Sequence, residues 1–231
     1  PVAARMAAFL DNHFSTWIEK AGGPQEWRDW RGWWHLGLPR FDDAVRHALR
    51  SPAMLIYLDQ LDSRRGARNE NLARELLELH TLGVDGGYTQ ADVEAVSRLL
   101  TGLSLDRYPD GQRGNELAVR GSFHDGREVV VLGRRFQAAT ARPGLPVTGR
   151  AAWERIAELI ELLVAHPRTS EFVARRLVDA WVSAVDEHPG AGQWADRREA
   201  LVADAARVFR ESGGELGEVL LAVAVHPAFE E

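Results

Sequence analysis

The sequence predicts an all-α chain, a compact multi-helix domain that carries a small antiparallel β-hairpin insert. Three observations predict it. Apolar residues recur at helical spacing along most of the chain, and strand-like alternation appears in one place only. A chain of 231 residues with 45% hydrophobic and 27% charged content can also bury a full-sized core unaided. The expected organisation is a helical lobe over 1–105, a hairpin insert and loop over 106–147, and a second helical lobe over 148–231, together one compact domain.

Each element has its own signal. Residues 2–19 wind into an amphipathic helix that places His13 among Met6, Phe9, Leu10 and Trp17. A helix over 24–34 is expected, and in "EWRDWRGWWHLG", residues 26–37, Trp27, Trp30, Trp33 and Trp34 at i, i+3, i+6 and i+7 make one stripe. Helices over 41–50 and 52–60 meet at Ser51-Pro52, because proline restricts the residue before it. Residues 69–82 and 90–103 form a helical hairpin. Gly83 is its left-handed cap, "VDGG" its turn, and Thr89 with Asp92 starts the second helix as a capping box. In "LAVRGSFHDGREVVVLG", Asp125-Gly126 sits between alternating runs and predicts a tight hairpin turn. Residues 137–149, rich in Pro, Gly and Ala, are a loop. Helices over 151–165, 169–185, 195–211 and 215–225 complete the chain, with His166-Pro167 and His226-Pro227 marking ends.

Composition excludes several functions. A formal charge of -6 and a pI near 5.8 argue against general nucleic-acid binding, which needs a basic face. Lys20 is the only lysine among the 28 basic residues, which reads as the codon bias of a GC-rich bacterial genome and carries no function. With no cysteine, there are no disulfides, thiolate nucleophiles or cysteine-ligated metals. The longest apolar runs, such as "LLAVAVHPAF", fall short of the ~20 residues that span a bilayer. The first residues lack an initiating Met and form an amphipathic helix rather than a signal segment, so the chain reads as a processed or truncated piece. "DGGYTQADVEAV" lacks the glycine and glutamate of a calcium loop, and no phosphate-binding glycine loop, HExxH or Gly-x-Ser-x-Gly is present.

Polar residues on apolar faces are the candidates for chemistry. On a regular helical wheel, Leu72, Ala73, Leu76, Leu77 and Leu79 share a face with Asn69 and His80, while Glu70, Arg74 and Glu78 form the opposite ladder and Glu75 lies on the border. One interpretation makes His13 and His80 neutral, buried and hydrogen-bonded. The other brings His13, His80 and His124 together with Glu75 or Asp125 around a divalent transition metal such as iron, zinc or manganese. The tryptophan stripe has two interpretations as well: packing against another helix, or an aromatic platform for carbohydrate.

"NENLARELLELHTLGVDGGYTQADVEAVSRLLTG", with "FLDNHF", "SPAMLIYLDQ", "FHDG", "HPRTSEFVARRLVDAWV" and "FRESGGELGEVLLAVAVHPAFE" in order, resembles the bacterial domain-of-unknown-function family numbered 1800. The resemblance covers nearly the whole chain and implies the C-terminal half of a longer protein. It brings no established activity. It implies export, an extracytoplasmic setting, and a protein partner of sulfatase-like fold encoded nearby. The matching polar residues are Asn12 and His13; Asn69, Glu70 and Asn71; Arg74 and Glu75; and His124 and Asp125. Ser51 stands where the family commonly has histidine, and Leu103 where it often has an aromatic, which puts any site there in doubt. The functional expectation is an exported accessory or scaffold protein acting with a protein partner. The alternatives are a metal-dependent hydrolytic or oxidative enzyme and a carbohydrate-binding module.

Overall fold

The computed structural model describes residues 2–107, 113–139, 146–182 and 191–227. Helices dominate it, and two small antiparallel two-stranded sheets complete it. In chain order the helices are α1 (Val2–His13), α2 (Ile18–Ala21), α3 (Gly23–Leu36), α4 (Phe41–Arg50), α5 (Pro52–Tyr57), α6 (Asn71–Glu75) and α7 (Gln90–Leu100). After the strands come α8 (Gly149–Val164), α9 (Pro167–Trp181), α10 (Ala191–Ser212) and α11 (Leu216–Ala224). One continuous apolar core runs from Met6 and Leu10 of α1 through Phe41, Leu76, Leu99, Ile156 and Leu177 to Phe209 and Val223. α1 lies along α3, α4 and α7 pack on α8, and α9, α10 and α11 form the far end. No helix among the described residues is long and apolar enough to cross a membrane.

Several local expectations are corrected. The expected 2–19 helix breaks after His13, since Trp17 is extended and α2 starts anew at Ile18. Ser15 and Thr16 have low helix propensity at the break, and the Thr16 hydroxyl instead donates to Glu26 Oε1 at 2.5 Å. Trp17 therefore points outward, 56% exposed, rather than beside His13.

The expected 69–82 helix is regular only over α6, and residues Leu76–Thr81 continue as a π turn. Leu82 N–H bonds Leu77 O at 2.8 Å and the Thr81 hydroxyl bonds Leu76 O at 2.6 Å, both five residues back. The wider turn rotates the wheel, so Leu79 is 46% exposed while His80 and Thr81 are buried. Asn69 lies before the helix rather than on its apolar face. Its Oδ1 accepts from Asn71 N–H at 2.8 Å and its Nδ2 donates to Asp59 O.

The hairpin insert is two hairpins, and Asp125-Gly126 is the tip of neither. Strands β1 (Leu103–Arg107) and β2 (Arg113–Val119) pair with Leu103 opposite Val119, and β3 (Val129–Val131) and β4 (Arg134–Phe136) pair with Val129 opposite Phe136. The second hairpin turns at Leu132-Gly133, both at positive φ (49° and 78°), the signature of a primed two-residue turn. Leu132 is held in this unfavourable conformation by its N–H bonding Asp92 Oδ1 at 2.7 Å. Asp125 lies between the hairpins and is fully buried. The ends of the expected 137–149 loop are described, as is the 169–185 helix up to Val182. Residues 140–145 and 183–185 lie outside the described residues.

Candidate functional site

His13 and His80 do come together. Both are buried, and His13 Nε2 donates to the backbone oxygen of His80 at 2.9 Å, pinning the end of α1 to the π turn. That bond places the ring hydrogen on Nε2, and the buried Nδ1 has no hydrogen-bond partner. Phe9, Phe14, Phe41 and Phe172 surround the His13 ring with centroids 4.7 to 5.9 Å away. Burial in this aromatic cage pushes His13 down to about 4; the His80 carbonyl opposes the shift and Arg176 adds to it. Burial first, then His13 and Arg176, push His80 down to about 3. Both imidazoles are neutral at ordinary pH.

His124 and Asp125 belong to another cluster. His124 Nδ1–H donates to Thr101 O at 3.0 Å, while Nε2 accepts from Arg155 Nη1 at 3.0 Å, so both ring nitrogens are engaged. Arg155, itself buried, also donates to the carbonyls of Asp125 (3.1 Å) and Arg127 (2.7 Å). The Asp125 N–H donates to the Thr101 hydroxyl at 2.7 Å, and its carboxylate takes a bidentate grip from Arg127 at 2.8 and 2.6 Å. That grip holds Asp125 down at about 2 against the desolvation that opposes it. This is a polar knot tying the insert to α7 and α8.

The remaining signature residues lace the surface. Gln90 bridges Glu70 and Arg74, each at 2.9 Å, which fixes α6 against the start of α7. Asn12 and Asn71 are exposed. Glu75 is half-buried, and burial, then Glu78, raises its carboxyl above the usual range. Among the described residues no group of three or more His, Asp or Glu is placed to hold a metal ion.

Helix α3 carries the tryptophan stripe and, beside it, a pair that the sequence did not single out. Trp33 is fully buried, but Trp27, Trp30 and Trp34 are 61%, 38% and 50% exposed. They stack in a column, with centroids 5.4 Å apart from Trp27 to Trp30 and 5.7 Å from Trp30 to Trp34. On the other side of the helix, the buried Asp29 carboxylate accepts from His47 Nε2 of α4 at 3.0 Å. Gly32 makes the approach possible, because a Cβ there would sit 2.0 Å from His47 Cε1. The pair forms part of a cleft of about 260 Å³ lined also by Arg28, Arg50, Ser51, Asn115 and Glu116. One signal pointed here: a glycine inside a helix weakens it and often marks a close approach.

The family described as protein of unknown function DUF1800 matches residues 1–231. No curated protein and no solved structure matches the chain. The family match spans the full length, including both histidine clusters and α3, and the chain therefore belongs to the DUF1800 family.

Proposed function

We propose that this chain is an accessory binding protein that docks onto a protein partner through the tryptophan face of α3. The observation that carries this reading is the exposed column of Trp27, Trp30 and Trp34. Tryptophan is the side chain most enriched where binding energy concentrates in protein interfaces, and contiguous exposed aromatic surface marks such sites. The stacking supports protein over carbohydrate. A sugar ring packs on an open indole face, but here the inner faces lie against one another, 13° and 23° from parallel. What the column offers along its length is indole edges and N–H donors, which suit a protein groove. The family resemblance makes an exported protein of sulfatase-like fold the first partner to test.

The test mixes the purified chain with that neighbouring gene product in analytical ultracentrifugation, using wild type and a Trp27→Ala, Trp30→Ala, Trp34→Ala variant. A complex with wild type that is lost in the equally folded variant is the expected result. A complex that survives the triple substitution, or binding of oligosaccharides with indole quenching and no protein complex, overturns the reading.

A further inference from the structure

We infer that the cleft between α3, the end of α4 and β2 is a binding site for an oxyanion group, the carboxylate, phosphate or sulfate of a small organic ligand, held by Arg50 beside the His47 ring. The two side chains are three residues apart on α4 and so share a face, and both line the cleft. Arg50 stacks over the Trp153 ring at 5.5 Å and has no carboxylate partner among the described residues. That contact occupies one face of the guanidinium and leaves its N–H edges for a ligand, the fork geometry that matches oxyanions. The neighbouring cations are already committed, Arg28 to Glu116 and Arg46 to Asp42 and Asp43.

His47 is oriented rather than adventitious. Asp29, only 4% exposed, engages Nε2, and no described residue bonds Nδ1. Trp33 packs edge-on against the ring at 4.2 Å. Gly32 weakens the middle of α3 relative to alanine, and what it provides is room for this imidazole. Arg28 and Glu116 cancel, which leaves Arg50 as the cation of the cleft without a carboxylate partner among the described residues. A second space of about 500 Å³, bounded by Trp27, Arg31 and His35, shares Arg28, Gly32 and Asn115 with the cleft and offers room for the rest of the ligand.

The experiment follows the imidazole resonances of His47 by NMR while the full chain is titrated with sodium sulfate, phosphate or acetate, against sodium chloride at equal ionic strength. A saturable shift with one or more oxyanions and none with chloride is expected, and the arms separate tetrahedral anions from carboxylates. Arg50→Gln should weaken binding at least about tenfold. Arg50→Lys, which keeps the charge but loses the fork, should fall between. Gly32→Ala should abolish the response by displacing the ring without removing a charge. Equal shifts with chloride and oxyanions, or wild-type affinity in a folded Arg50→Gln variant, would overturn the inference. Because Trp27, Trp30 and Trp34 are intact throughout, the outcome is independent of partner docking.

Discussion

His13 and His80 are neutral because of where they sit, and that makes the fold sensitive to acid. In the unfolded chain both imidazoles titrate near 6.5; in the folded chain they titrate near about 4 and about 3. Between those limits the unfolded state binds more protons, so their contribution is complete above about pH 6.5 and is lost as pH falls toward 4 and then 3. At about 1.4 kcal/mol per unit, His13 alone accounts for on the order of 3 kcal/mol. Urea unfolding at about pH 7.5 and about pH 4.5 should show this loss, and His80→Leu should flatten it. An unchanged midpoint across that range in the wild type would contradict the buried neutral pair. That both histidines lie on apolar faces was legible from spacing. The carbonyl that His13 meets was not, because it lies 67 residues away in the chain.

Between elements, the polar knot around His124 does the tying. His124→Leu removes the imidazole donor of the Thr101 carbonyl and one of the two acceptors of the buried Arg155 Nη1, which keeps the Asp125 carbonyl, and should cost about 1–3 kcal/mol. Arg155→Met orphans the carbonyls of Asp125 and Arg127 and should cost a similar amount. Since both changes break the same bond, a double-mutant cycle by chemical denaturation should be less than additive by about 1 kcal/mol. Strict additivity would mean that the two residues act separately. Local rules served well where partners are local: Gly83 takes its left-handed cap at φ 83° and Thr89 with Asp92 forms the full capping box. They misplaced Leu79 because a wheel of constant pitch cannot anticipate a change of hydrogen bonding from four residues to five. They placed a hairpin tip at Asp125-Gly126 because a turn-forming pair looks the same whether it faces solvent or a buried arginine.

For the molecule as a whole, the helical class and the presence of a small β insert followed from periodicity, since a period of 3.6 or 2 is imposed by burial itself. The candidate surfaces did not. A tryptophan stripe reads alike whether it meets a helix or water, and here the helix meets Trp33 while water meets its neighbours. Asp29 and His47 belong to different helices, and nothing but Gly32 foretells their meeting. The column on α3 also has an optical consequence. Indoles stacked at 5.4 and 5.7 Å have coupled transition dipoles, so the ultraviolet circular dichroism of this chain should contain an exciton couplet that Trp30→Phe removes. If a partner prises the rings apart or locks them, the couplet changes sign or size, and the protein reports its own occupancy without a label.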